Sequence, residues 1–234
     1  MAEPNLEHDL RQALAGIGRA IGQPHRLRLL ELLAQREYYV EQLAELSGLT
    51  MASASQHLQH LRRAGLITVR RDGRQMAYRL TDERIIDLLG LVRQIARSQI
   101  AEVERLLSQL FPNDPDLTPL VALSQTELVQ QMEAGQVTLL DVRPGAEFEA
   151  GHLPGAINLS LAELEQHLDS LPKDQPIVAY CRGPYCALSH KAAQMLRARG
   201  YQVQRFEEGF PEWKRAGLPI ETLQRSSLNG TQHP

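Results

Sequence analysis

The chain has 234 residues, of which 43% are hydrophobic and 23% charged, enough for two domains that each bury a core. No apolar run reaches the ~18 residues of a membrane span, and the polar, acidic opening MAEPNLEHDLRQ lacks the apolar centre of a signal peptide, so a cytoplasmic protein with no membrane contact is expected. The formal net charge of −3 gives no sign of a uniformly basic nucleic-acid binder, yet residues 1–111 carry a net +2 and the remainder a net −5.

Leu10, Leu14, Ile17 and Ile21 recur at helical spacing and predict a first amphipathic helix. Pro24 opens a second, HRLRLLELLAQ, as suits proline near a helix start. Val40 to Leu49 reads as a third, with Gly48 near its end, and Thr50 is the expected N-cap of a fourth, MASASQHLQHLRRAG, which stops at Gly65. Two alternating segments, LITVRR and RQMAYRL, flank Asp72-Gly73 and predict a β-hairpin. Across these elements Arg62, Arg63, Arg70, Arg71, Arg74 and Arg79 surround one acid, Asp72. That net +5 in 18 residues is either a phosphate-binding patch or a solvated face. Thr81 is expected to cap one long helix reaching Leu110. Its seam of Ile85, Leu89, Val92, Ala96, Val103, Leu106 and Leu110 is interrupted at Gln99 and points to dimerisation as well as packing on its own domain.

Residues 111–119, FPNDPDLTP, carry three prolines and two aspartates and read as a connector. The expected organisation is a mainly α-helical domain over 1–110, a linker over 111–117, a second domain over 118–223 and a flexible polar tail over 224–234. In the second domain VTLLDVR and QPIVAYC read as buried strands, KAAQMLRARG as a helix and QVQRFEEG as a further strand. Alternating strands and helices predict a parallel α/β sheet.

Short helix, glycine-containing turn, second helix and basic hairpin follow the order of a winged helix-turn-helix. In the second of those helices Ala54, Leu58 and Leu61 form an inward stripe. Ser53, Ser55, Gln56, Gln59 and Arg63 lie largely outside it, where they can meet base edges or phosphates. Arg70, Arg71 and Arg74 on the hairpin are placed for flanking backbone or minor groove. The stretch from LRLLELLAQ to MAYRLT resembles the ArsR/SmtB family of small bacterial repressors, over nearly all of residues 8–110. That resemblance implies a homodimer that holds double-stranded operator DNA until an inducer lowers its affinity. Many members of that family sense metals through cysteines on the helix before the recognition helix. Here Tyr38, Tyr39 and Val40 stand in that region, and the C-terminal helix has no histidine, so no metal site is expected. His57 and His60, spaced i and i+3, could share a metal; with no further ligand cluster in view, packing or DNA contact is the preferred reading.

The chain has two cysteines, Cys181 and Cys186. Two thiols are too few for a disulfide framework in a reducing compartment and, five residues apart, suggest redox or sulfur chemistry. Cys181 closes the apolar run IVAY, and the chain turns and enters a helix near Ala187. A thiolate at that junction is expected to face backbone N–H groups and the positive end of the helix dipole, which lower its pKa. It can then attack a sulfane sulfur and hold it as a persulfide. Arg182 could attract an anionic donor, and Gly183 and Pro184 shape the turn.

Three ordered segments, DVRPGAEFEAGHLPGAINL (141–159), IVAYCRGPYCALSHKAA (177–193) and EEGFPEWKRAGLPIE (207–221), resemble a rhodanese domain over roughly residues 118–223. The resemblance implies sulfurtransferase chemistry with Cys181 as the persulfide carrier, a small sulfane-sulfur donor and a thiol acceptor, and no cofactor. Related phosphatase-type folds place an arginine where this chain has Ala187, so sulfur is favoured over phosphate. The loop departs from common rhodanese loops in holding Pro184, Tyr185 and Cys186. The last supplies a second thiol that could attack a Cys181 persulfide and leave a disulfide or sulfur-bridged cross-link. Asp141, Arg143 and Glu147 read as an ion-paired network beside the loop, and His152, Phe210 and Trp213 as packing residues. Three functions follow as expectations: a sulfur-responsive repressor, a sulfurtransferase with a regulatory DNA-binding domain, or a repressor whose second domain binds a partner.

Overall fold

The sequence folds into two compact units, Met1–Leu107 and Ser108–Pro234, in a computed structural model that describes residues 5–112 and 120–223. Of the expected linker only Phe111 and Pro112 are described; its remainder and the tail from 224 lie outside the described residues.

In the first unit, helix α1 (Leu6–Ile21) starts where Asn5 Oδ1 accepts the His8 N–H at 3.1 Å. Helix α2 (Pro24–Leu33) has its proline in the first turn, and a short strand β1 (Tyr38–Tyr39) leads into α3 (Val40–Ser47). Thr50 does cap α4 (Met51–Arg63), its hydroxyl accepting from the Ser53 N–H at 3.2 Å. Strands β2 (Ile67–Asp72) and β3 (Gln75–Leu80) pair antiparallel from Ile67–Leu80 to Asp72–Gln75, so the hairpin turns on Gly73 and Arg74. Strand β1 adds to the far side of β3 through Tyr38–Tyr78. The core is leucine-rich: Leu29, Leu30, Leu32, Leu43, Leu58 and Leu61 are sealed, with Tyr38, Ile67, Ile85 and Leu89 closing over them.

The long C-terminal helix is two helices, α5 (Arg84–Gln99) and α6 (Ala101–Leu110), broken at Ile100, whose φ −118° and ψ 99° are extended. Ser98 Oγ donates back to the Ile95 carbonyl at 3.1 Å. This side-chain bond competes with the helical ladder where the apolar seam has already lapsed. Thr81 is not the cap: its hydroxyl donates to Gly65 O at 2.6 Å, pinning the end of β3 to the end of α4, and Asp82 accepts the Arg84 N–H at 2.8 Å instead.

The second unit is a five-stranded parallel sheet in the order β4-β8-β7-β5-β6. Its elements run β4 (Val121–Leu123), α7 (Gln125–Glu133), β5 (Thr138–Asp141), α8 (Gly145–Ala150), β6 (Ile157–Asn158), α9 (Leu161–His167), β7 (Ile177–Tyr180), α10 (Ala187–Arg197), β8 (Val203–Phe206) and α11 (Phe210–Arg215), with a 3₁₀ turn over Leu168–Ser170. The central strands β5 and β7 are buried on both faces, which is why they read as unbroken apolar runs. Alternation along β7 sends Ile177 and Cys181 into the layer with Leu164, Ala192 and Leu196, and Val178 and Tyr180 into the layer with Leu128, Phe210 and Trp213. No helix among the described residues is long and apolar enough to cross a membrane.

Candidate functional site: a two-thiol loop and a basic winged helix

The loop after β7 lies at the carboxyl end of a central parallel strand, where ligand sites of open α/β sheets gather. It runs from Cys181 to Cys186, the N-cap residue of α10, with Ala187 as the first helical residue. Gly183 takes φ +147°, a conformation glycine tolerates and other residues do not. The loop is held from outside. Phe210 N–H donates to Cys181 O at 3.1 Å, Arg205 Nη1 donates to Pro184 O at 3.4 Å, and Cys186 N–H closes the turn onto Gly183 O at 3.1 Å. Gly209 lies so close that a Cβ there would stand 2.3 Å from Gly183 N and 2.7 Å from Arg182 C.

The two free thiols differ in what they face. Cys181 is 1% exposed. Its Sγ lies 3.5 Å from Cys186 O, 4.0 Å from Gly183 O and 3.3 Å from Ser189 Oγ. Carbonyl oxygens welcome an S–H and repel a thiolate. Burial, together with the hydrogen bond to Cys186, pushes the Cys181 thiol well above its ordinary pKa, and Ser189 only partly opposes this. An amide does face Cys181, that of Ser189, and it lowers the pKa as expected, but burial outweighs it. Cys186, half-buried at the helix start, accepts from the Cys181 thiol and from the Leu188 and Arg182 amides. With the nearby Arg182 charge, these bring it down to about 6 against its own burial.

Arg182 does not project toward a substrate. Its guanidinium forks onto Glu147, Nη2 to Oε1 at 2.6 Å, and both side chains are largely buried. Arg143 makes the equivalent fork with Asp141 at 2.6 Å, fully buried, and also donates to Gly151 O at 2.7 Å. Asn158 Nδ2 donates to the Asp141 and Arg143 carbonyls. These pairs anchor the segments on either side of the loop. Tyr185 is half-buried on the loop's outer part beside Pro184, while Trp213, Phe210 and His152 pack in the interior. His152 stacks on Phe148 with ring centroids 3.6 Å apart.

Two partners of this loop had no sequence signal tied to chemistry: Ser189, one turn into α10, and Gly209, remote in the chain. A third group joins them from the connector. His190 Nε2 lies 3.2 Å from Pro112 O, the Phe111 ring meets the His190 ring edge-on at 5.3 Å, and Arg205 sits over Phe111.

In the first unit, Ala54, Leu58 and Leu61 of α4 are fully buried, as its inward stripe requires. Gln56, Gln59 and Arg63 are exposed, and Ser53 and Ser55 half-buried, on the remaining surface. His57 packs against His25 with ring centroids 5.6 Å apart, and burial first, then neighbouring Arg26, lowers its pKa. Among the described residues no group of three or more His, Cys, Asp or Glu side chains could hold a metal. On the hairpin, Arg71 and Arg74 are exposed, but Arg70 is engaged: it forks onto Glu37 at 2.6 Å and reaches Asp72 at 3.2 Å.

Comparison with known proteins finds the same division. The model of the bacterial regulatory protein arsR family matches residues 23–69, and that of the rhodanese-like domain residues 124–216. The HTH-type transcriptional regulator Rv0324 of Mycobacterium tuberculosis is 40% identical over 91% of this chain and 92% of its own length. The HTH-type transcriptional regulator CmtR of Mycobacterium bovis is 41% identical over 36% of this chain and 70% of its own. The thiosulfate sulfurtransferase GlpE of Shewanella oneidensis is 36% identical over 40% of this chain and 92% of its own.

Proposed function

Because the chain belongs to the arsR family of bacterial regulatory proteins, and is a DNA-binding transcriptional regulator with a rhodanese-like domain behind its winged helix, we propose that it is a repressor whose hold on operator DNA follows the sulfur state of Cys181 and Cys186. The observation that carries this reading is the pair itself. Two free thiols lie five residues apart in one loop at the end of a parallel strand, with Cys181 Sγ 3.5 Å from the Cys186 carbonyl. In this reading they are joined directly or through an inserted sulfur. The partners are double-stranded operator DNA and a small sulfane-sulfur donor such as an organic persulfide.

The DNA-binding form is a homodimer. Helix α1 leaves Leu10 and Leu14 more than 60% exposed, and α5 leaves Leu91 and Ile95 at 55% and 60%. Apolar stripes of that kind on an isolated protomer call for a partner surface, and two-fold pairing matches a palindromic operator. Ser53, Ser55, Gln56, Gln59 and Arg63 read bases and phosphates from α4, with Arg71 and Arg74 of the wing on the flanking backbone.

A second reading, turnover as a sulfurtransferase, is favoured by the likeness of the second unit to a thiosulfate sulfurtransferase. The Arg182–Glu147 pair argues against thiosulfate as the main donor, since the loop's arginine is already neutralised. Operator binding of the wild type and of Cys181→Ser, with and without an organic persulfide, separates the two. A switch present in the wild type and lost in the variant is the expected result; sulfur turnover with unchanged operator affinity would overturn the sensor reading.

A further inference from the structure

We infer that the first unit carries a ligand site of its own, a pocket between α1, α2 and α4 that binds a phosphate group through Arg19, Arg26 and Arg63. The inference goes beyond the sulfur-sensing reading and is independent of it. The pocket encloses about 410 Å³, and its wall joins these three arginines to His60, with Gly16 and Ala20 leaving the α1 side open. No carboxylate lines it. Among the described residues none forms an ion pair with Arg19, Arg26 or Arg63. Elsewhere in this unit arginines meet acids: Arg11 pairs with Glu7, Arg70 with Glu37 and Arg84 with Asp82. A concave cluster of guanidinium groups without counter-charge suits a tetrahedral oxyanion.

The simpler role for such arginines is to cap helix ends, and Arg26 does so. Its Nε donates to Ala20 O at 2.5 Å and its Nη2 to Arg19 O at 2.8 Å, while Arg19 Nη2 donates to Gln12 O at 3.1 Å. Capping does not exhaust the charge. The C-terminal ends of α1 and α4 bring roughly half a negative charge each, against three guanidinium charges. About two positive charges remain, the complement of a phosphate dianion. The bonds to carbonyls also occupy only part of each guanidinium's donor set. His57, on the same helix as Arg63, registers the field: burial first, then Arg26, His25 and His60, lower its pKa. With about 100° of turn per residue, Arg19 projects from the side of α1 opposite the exposed Leu10, so covering that apolar stripe leaves the pocket open. Two sources carry the required chemistry, the operator backbone and a free phosphate-bearing molecule, and arginines recognise both by charge and fork geometry.

The full-length protein is compared as wild type, Arg19→Gln, Arg63→Gln and Arg11→Gln, the last removing an equal charge from α1 outside the pocket. Arg26 is left intact because it caps α1. In thermal melts without DNA, pyrophosphate should raise the wild-type midpoint by about 2–4 °C over chloride of equal ionic strength, once it exceeds its Kd roughly fivefold. Arg11→Gln should keep that rise, and Arg19→Gln and Arg63→Gln should lose it. Operator titrations over a range of salt then identify the source. A salt slope lower by about 1 in both pocket variants assigns a backbone phosphate, and slopes equal to the wild type assign a free molecule. No rise in the wild type with the slope of Arg19→Gln unchanged would overturn the pocket, as would losses in Arg11→Gln equal to those of the pocket variants. The response to organic persulfide is read separately, so failure here leaves the sulfur-sensing reading standing.

Discussion

Arg143 is a guanidinium with no exposed surface, held by the Asp141 carboxylate, the Gly151 carbonyl and the face of Phe210 at 4.2 Å. Removing one half of such a pair strands the other charge, so Asp141→Asn should destabilise the second unit by about 3–5 kcal/mol, read as a lower urea midpoint. Gly209 acts through what it lacks. Gly209→Ala drives a methyl into the Gly183 backbone, and backbone cannot swing aside as a flexible side chain can. A loss of about 1–3 kcal/mol should accompany slower alkylation of Cys186, measured as a thiol-labelling rate at pH 7. On the DNA side the arginines are unequal. Arg71→Ala should weaken operator binding and reduce the salt slope by about 1. Arg70→Ala should do less, because Glu37 and Asp72 already neutralise Arg70. Equal slopes for the two variants in a salt titration would contradict this.

Helix α1 buries only Ala20 among its own residues yet shows Leu6, Leu10 and Leu14 in a row, a surface that makes sense when covered. Leu10→Glu with Leu14→Glu should shift the protein to monomers in sedimentation. Each side chain removed costs about 1.5–3 kcal/mol of apolar burial, felt twice across a two-fold interface, and operator affinity should fall with it. Much of this first unit was legible in the chain. A proline-led helix, a threonine cap and an Asp-Gly turn are local signals whose chemistry does not depend on distant neighbours. The break at Ile100 was less so, since the lapse at Gln99 marks a weak seam without saying that the backbone leaves the helix. Strands β4 and β6, of three and two residues, carry no periodicity and exist because β8 and β5 offer an edge. At the loop, the identity of the two sulfurs could be read from sequence, but their surroundings could not. Whether a cysteine meets amides or carbonyls is decided by the path of six residues through space and by Gly209 pressing from elsewhere in the chain.

The proposed regulation requires that an event at a sulfur alter how α4 and the wing meet DNA. The covalent route from the second unit back to the first passes through Pro112 and Phe111 to α6. Both residues are gripped by side chains that belong to the sulfur loop's own surroundings: His190 from α10 and Arg205, which also holds Pro184. His190→Ala should leave thiol labelling unchanged while shrinking the persulfide-induced change in operator affinity, by an amount corresponding to about 0.5–2 kcal/mol. An undiminished response in an electrophoretic or fluorescence titration would mean that the message travels another way.

Cys186 is the last residue before α10 begins, and His190 lies barely one turn beyond it. An atom added to that cysteine would sit at the opening turn of the helix whose His190 meets Pro112. In the proposed mechanism chemistry and relay would thus share one stretch of backbone.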